Sequence, residues 1–382
     1  INPLFPAMAE DLNLTLQDQG LIAGVLALTW GMSGILAGNL TDRIGVRKVL
    51  VFSVVGFSLL VAFTGLATGL ITLLIIRALM GFAEGGYVPS SIVATVDASK
   101  PSRLGMNIGI QQMAMPFFGL FIGPLLAVGL LHIMPGWEYV FGILAIPGLI
   151  VAWLLWKNIK PRPPMGAQTV DKATNSEPTM ETAAPSIWEP LKNKQILVIT
   201  VAMFCMLTTL HVLATFMPMF ITSHLGQSLQ TMGFVMASLG AGGVIGMVAV
   251  PTASDKFGRK KTIVTALTFV CIFFAIWVFS GSNSIVLMAV CLFFISLLNS
   301  GTVATIIGPL INETVPKAIV ATSIGLVGGL SEIVGGALAP TITGGLADTY
   351  GVAIVPNIVF TSAVIGTLIL AFGLKGPAPK TS

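Results

Sequence analysis

The sequence predicts an all-α integral membrane protein built from two six-helix bundles, and three observations carry that prediction. With 55% hydrophobic residues, 9% charged residues and a mean hydropathy of +0.94, the composition lies outside the range of soluble domains. The apolar residues fall in runs that match the roughly 20 residues a helix needs to cross a ~30 Å hydrocarbon core. The lysines and arginines fall almost entirely in the joints between those runs.

Eleven complete spans are visible. The residues Ile1 to Ala9 read as the tail of an earlier span. The chain opens without a methionine or a charged leader, so the first helix is expected to lie largely outside it. Gly20 to Gly38 follows the polar stretch EDLNLTLQDQ and ends at the basic joint Asn39 to Lys48. Val49 to Ala67 and Leu70 to Val96 are joined by only two residues, which forces an antiparallel pair. Gly105 to Ile133 and Tyr139 to Trp156 complete the first half. After a long joint come Gln195 to Ile221, Met232 to Val250, Thr262 to Phe279, Ser284 to Leu310, Ile319 to Gly345 and Ala353 to Phe372. Glycine and proline recur inside these runs, as membrane helices tolerate.

Of the 19 lysines and arginines, 18 lie in alternate joints or at the C-terminus, and the remaining one is Arg77. This is the positive-inside distribution, and it makes the basic joints cytoplasmic. The net charge of +4 therefore reflects topology, and nucleic-acid binding is excluded as its explanation. The acidic residues Glu10, Asp11, Asp18, Glu138 and Asp348 fall on the other side. The joint at 157–194 contains GAQTVDKATNSEPTMETAAPS, too poor in large apolar residues to build a core. It reads as a cytoplasmic linker between an N-terminal bundle, 1–156, and a C-terminal bundle, 195–374, with a cytoplasmic tail at 375–382. Cys205, Cys271 and Cys291 all lie in apolar runs, which suggests packing and neither disulfides nor a metal site.

The halves repeat one another. GNLTDRIGVRKVL, Gly38 to Leu50, occupies the place that SDKFGRKKTIV, Ser254 to Val264, takes after the linker. Aligning the halves supplies one missing initial span, for twelve in all. The first loop resembles the G-x-x-x-D-R-x-G-x-R-K loop of the major facilitator superfamily, through Gly38, Asp42, Arg43, Gly45, Arg47 and Lys48. The second copy keeps Asp255, Gly258, Arg259 and Lys260 but has Lys256 for the usual arginine. The resemblance implies two bundles with inverted repeats, alternating access, and a substrate site between the bundles near the midplane. It also implies that these loops brace the inner gate; a role in fixing orientation alone is the plainer alternative.

RALMGFAEGGYVP places Arg77 and Glu84 seven residues apart inside the third span. Nearly two helical turns put them on one face, about 10 Å apart along the axis, too far for a tight ion pair along the helix. Each intramembrane charge costs about 2.5 to 3.5 kcal/mol on insertion scales, and arginine keeps its proton. Arg77 therefore needs an anion: a substrate carboxylate, met by its planar fork, with Glu84 taking a proton that offsets the substrate's charge. A fixed brace between helices is the competing role, although apolar packing does that job at less cost. The stretch resembles the fourth helix of the anion:cation symporter branch of the superfamily, which implies carboxylate binding and proton coupling at these two positions. That branch also uses charges in its first helix, and it usually has an arginine where GWEYVF carries Glu138.

Other polar residues at membrane depth complete the candidate site. Glu332, among close-packing glycines, is a second proton-site candidate or an interhelical hydrogen-bonder. His211 could titrate near neutrality and is a substrate-binding or proton-site candidate, with a neutral packing histidine as the alternative. Tyr87, Gln111, Gln112 and Asn299 are substrate-binding candidates, with interhelical glue as the alternative for the amides. GLFIGP, Gly119 to Pro124, partly matches an element of proton-coupled drug exporters and supports a multidrug:proton antiporter as the alternative function; a non-transporting sensor is a further one. No nucleophile with a base, metal cluster or phosphate loop points to an enzyme or a cofactor. The expected partners are a small organic anion, protons and the lipid bilayer, with the chain acting as a monomer in a bacterial inner membrane.

Overall fold

In a computed structural model the chain is a bundle of long helices with no strand among the described residues. These are residues 2–98, 104–159, 188–280, 284–316 and 319–374; inside them the side chains at 35–44, 89, 92, 93, 96, 97, 104–106, 108, 109 and 320–322 lie outside the description. So do most of the expected linker and the C-terminal tail.

A short helix α1 (Phe5–Leu12) leads through left-handed Asn13 into α2 (Leu16–Ile44). Then follow α3 (Val46–Thr64), α4 (Leu70–Gly85) and α5 (Tyr87–Ala98), the last two dividing one expected span at Gly86. Next, α6 (Leu104–Ala114) passes through a π-helical segment (Met115–Ile122) into α7 (Gly123–Ile133), and α8 (Trp137–Asn158) closes the first half. The second half comprises α9 (Lys194–Met219), with a π turn (Phe220–His224), then α10 (Leu229–Phe257) and α11 (Arg259–Phe279). It continues with α12 (Ile285–Thr305), a π turn (Ile306–Leu310) and α13 (Ile311–Thr314). Last come α14 (Val320–Ser331), a π segment (Glu332–Leu338), α15 (Ala339–Tyr350) and α16 (Val355–Gly373). Among the described residues nine helices are long and apolar enough to cross a membrane. The other two expected spans are also helical: α2, and the α4–α5 pair whose pieces are each short.

Helices suit this solvent because every backbone group is satisfied within the segment. Serine and threonine hydroxyls follow the same rule, as where Thr200, Thr302 and Thr305 donate to carbonyls four residues back at 2.7 Å. Two apolar cores form. One gathers Phe5, Met8, Leu73 and Phe141 from the first half; the other gathers Phe216, Met236, Phe274 and Leu292 from the second.

Two seams join the halves: α2 against α15 and the 332–338 segment, and α10 against α7 and the 115–122 segment. The first is tight at the end away from the basic joints and the second near the middle of α10. A Cβ on Gly20 would meet the Pro340 backbone, one on Gly24 the Ala337 carbonyl oxygen at 2.8 Å, and one on Gly240 the Leu120–Phe121 backbone. Further along α2, the nearest atom to a Cβ on Gly31 is 3.6 Å away, and Gly325 and Gly328 on α14 face open space. Among the described residues the contacts between α2 and the other half are thus tightest toward the non-basic end.

Candidate functional site

Arg77 is 5% exposed. The short joint between Thr64, the last residue of α3, and Leu70, the first of α4, makes α4 run back alongside α3, and this brings Arg77 to Thr64. One guanidinium nitrogen donates to Thr64 Oγ1 at 3.2 Å and another contacts Met80 Sδ at 3.0 Å, while Nε has no partner. Among the described residues no carboxylate lies within 4.0 Å of it. A full positive charge is thus held in a dry place by one hydroxyl and one thioether, which leaves its charge uncompensated by contact.

Glu84 sits half-buried in the last turn of α4, one residue before the helix gives way at Gly85 and Gly86. The sequence expectation that it shares a stripe with Arg77 without a tight ion pair agrees with this geometry. Gly81 and Gly85 bring that stripe hard against α2, where a Cβ would strike Leu26, Thr29, Trp30 or Ser33; Ser33 Oγ donates to the Phe82 carbonyl at 2.6 Å. Tyr87 opens α5 with its ring edge-on to Phe57 at 6.3 Å.

Across α2 lies a second charged cluster. His211 of α9 and Glu332, first residue of the π segment, approach to 3.0 Å between Nε2 and Oε2 at side-chain exposures of 25% and 21%. The approach is a close contact without hydrogen-bond alignment, since Nε2 has no aligned partner, and it becomes an ion pair when His211 is protonated. A Cβ at Gly336 would meet Glu332 Oε2, His211 Nε2 at 3.3 Å and Ala27 Cβ of α2 at 3.2 Å. The lack of a side chain at Gly336 is what lets the pair reach α2. The π geometry, common where helices serve function, sets Glu332 at this junction. α2 therefore stands between the Arg77–Glu84 stripe and the His211–Glu332 pair.

The amides divide. Gln111 donates to Ser91 Oγ at 2.8 Å while its buried Oε1 has no partner, and Gln112 is exposed. Asn299, 3% exposed, gives its Nδ2 to the Met206 carbonyl at 3.2 Å and thereby ties α12 to α9. Of the two roles open to it, interhelical glue is the one this contact serves. The GLFIGP element lies largely in the π segment that packs on Gly240 of α10, a helix-packing use.

The two loop copies share one backbone device: Gly45 has φ 91° and ψ 144°, Gly258 φ 89° and ψ 143°. Only glycine adopts this region without strain. In the second copy Arg259 pairs with Asp255, with Glu313 Oε1 at 2.9 Å and with Ser254 Oγ at 2.6 Å. In the first, Arg47 donates to the Trp156 carbonyl and stacks 4.1 Å from that indole's centroid. Both arginines are thus engaged within their own half. Gly38, Asp42 and Arg43 lie on the last turns of α2, but their side chains are outside the described residues.

The Major Facilitator Superfamily profile matches residues 1–340 and, in a second match, 199–382. A hexuronate transporter of Bacillus subtilis is 27% identical over 88% of this chain and 81% of its own length. A D-galactonate transporter of Escherichia coli is 25% identical over 94% and 87%. Among solved structures, a bacterial homologue of the human lysosomal transporter Spinster, in an inward-facing unoccupied conformation, aligns with a TM-score of 0.73 over 98% of this chain and 91% of that one, at 18% identity.

Proposed function

Because the chain belongs to the Major Facilitator Superfamily, we propose that it is a proton-coupled symporter of a small organic anion, a carboxylate or sugar acid, that works by alternating access. The carrying observation is Arg77: a buried cation with no carboxylate at contact distance among the described residues, on a helix packed against α2. An anion that enters from the open basic end can supply the missing charge through paired N–H···O contacts. Relatives named as hexuronate and galactonate transporters support a sugar acid as that anion.

In this reading Glu84 and the His211–Glu332 pair carry the proton. A carboxylate that binds next to Arg77 adds negative charge near Glu84, and protonation of Glu84 removes the repulsion. Anion and proton then load together. One anion and one proton together leave the site's net charge unchanged, whereas the anion without its proton would add a full charge to be carried through the closed intermediate. α2 touches both charged clusters, so a tilt of α2 changes both surroundings at once. Gln111, with a free buried carbonyl oxygen, is suited to a substrate hydroxyl. The basic face is cytoplasmic in this scheme. The 157–194 joint links bundles at 1–156 and 195–374, the chain works as a monomer in a bacterial plasma membrane, and the closed end faces outward.

The test is uptake of radiolabelled glucuronate and galactonate into proteoliposomes with an imposed pH gradient, inside alkaline. Gradient-dependent accumulation that Arg77→Ala abolishes supports the reading. Transport unchanged in both Arg77→Ala and Glu84→Gln refutes it, and gradient-driven expulsion of lipophilic cations would replace it with an exporter.

A further inference from the structure

The D-x-x-G loop element occurs a third time, on the opposite face. GGLADTYGVAIV, Gly344 to Val355, matches GNLTDRIGVRKV, Gly38 to Val49, at Gly344, Leu346, Asp348, Gly351, Val352 and Val355. The three cations of the first copy, Arg43, Arg47 and Lys48, become Thr349, Ala353 and Ile354, as a non-basic face requires. The backbone repeats the device as well: Gly351 has φ 83° and ψ 156°, next to 91° and 144° at Gly45. Each copy ends one long helix and starts the next at a left-handed glycine.

Asp348 uses this placement to reach across the closed seam. Its Oδ1 accepts from the backbone N–H of Leu16 and its Oδ2 from that of Gln17, each at 2.9 Å. These are two of the N–H groups that the start of a helix leaves without an intrahelical partner. The others in the first turn are met locally: Asp18 N donates to Thr15 Oγ1 at 3.1 Å and Gln19 N to the Thr15 carbonyl at 3.1 Å. The N-terminal cap of α2 is therefore split, half from its own Thr15 and half from the end of α15 in the other bundle. Beside it the Gly344 and Gly20 contacts hold the two backbones together. When the seam opens, Leu16 and Gln17 lose their acceptor while Thr15 keeps its own bonds.

We propose that GGLADTYG is the outer counterpart of the cytoplasmic gating loop, and that the Asp348 carboxylate, through Leu16 and Gln17, latches the outer gate shut in the inward-facing state. This rests on the alternating-access reading but not on any choice of substrate. A cysteine in place of Thr341 reports the gate, because Thr341 Oγ1 lies within the seam, 3.4 Å from the Gly20 carbonyl oxygen. In a background with Cys205, Cys271 and Cys291 replaced by serine, intact cells are labelled with a membrane-impermeant maleimide. Asp348→Ala should raise the labelling rate about 2- to 30-fold, the population shift that loss of a helix cap produces. Asp348→Asn, which keeps the shape but only one acceptor oxygen, should lie between and serves if the alanine variant does not reach the membrane. Thr15→Ala weakens the same helix end without crossing the seam and should leave the rate unchanged. An Asp348→Ala rate equal to the parent's, or an equal rise in Thr15→Ala, overturns the latch. Gly24→Trp, a wedge in the seam, separates the two levels. If it raises labelling while Asp348→Ala does not, only the latch fails; if neither does, alternating access at this seam fails with it.

Discussion

Substituting Gly24 by alanine tests whether the tight seam is a conformational switch or ordinary core. A Cβ there would lie 2.8 Å from the Ala337 carbonyl oxygen and closer still to Thr341 Oγ1. The threonine can rotate away, but the carbonyl belongs to a helix and cannot. Overpacking of this kind costs about 1 to 3 kcal/mol. The clash exists only while α2 and the 332–341 stretch are in contact, so the whole cost falls on the state closed at the non-basic end. At 1.4 kcal/mol per factor of ten, the equilibrium should move about 5- to 150-fold toward the outward-open state. Gly246→Ala is the control. Its Cβ would strike the Leu297 backbone of α12, a contact inside one half that persists in both states. It should lower thermal stability and leave the equilibrium alone. Spin labels at Gln17 and Tyr350, both exposed and on opposite sides of the seam, report the distance by double electron–electron resonance. A longer-distance population should grow in Gly24→Ala and not in Gly246→Ala. Equal loss of melting temperature in both variants, with unchanged distances, would refute the switch.

Three further outcomes follow from the charged clusters and the loops. Arg77→Met should abolish anion uptake while the melting temperature stays level or rises, because exchange of a buried unpaired charge for an apolar chain of similar length is neutral or gains about 1 to 4 kcal/mol; a large loss of stability would mean that Arg77 is a brace. Glu332→Gln should retain substrate exchange with no gradient, measured as counterflow, and lose accumulation driven by the pH gradient; intact accumulation would remove Glu332 from the proton path. Gly258→Ala, at φ 89°, should cost about 1 to 3 kcal/mol of backbone strain, read as a lower melting temperature, whereas the same change at Gly308, which faces open space in its π turn, should be nearly silent.

The spans were legible because a bilayer imposes a length and a polarity on every crossing, and lysine and arginine alone predict a side for each joint. Gly45 and Gly258 could be paired from the repeat, and their matching dihedrals show why glycine stands at both. Arg77 and Glu84 stood out because charge is rare at that depth. The break at Gly86 did not, since glycine pairs also pack helices. The approach of His211 to Glu332 had no local signal: the partners are on helices whose adjacency is set by packing, and both carried innocent alternatives. Asn299 shows the opposite case, a polar residue whose sequence position fits a site while its amide meets the carbonyl of Met206. The copy around Asp348 was present in the sequence but hidden, because a search guided by arginine and lysine passes over a loop that has lost every cation.

The non-basic mouth has one more consequence. Glu10, Asp11, Asp18, Glu138 and Asp348 all stand at that end, and no lysine or arginine accompanies them. Carboxylates gathered without counter-charges give the entrance a negative surface potential, which attracts protons and repels organic anions within a screening length of about 10 Å at 0.1 M salt. The pH met at the mouth is lower than in the bulk, and the anion there is more dilute. Under the proposed anion–proton symport, dissolved salt collapses both gradients together, so a saltier medium should speed the arrival of the anion and slow that of its proton.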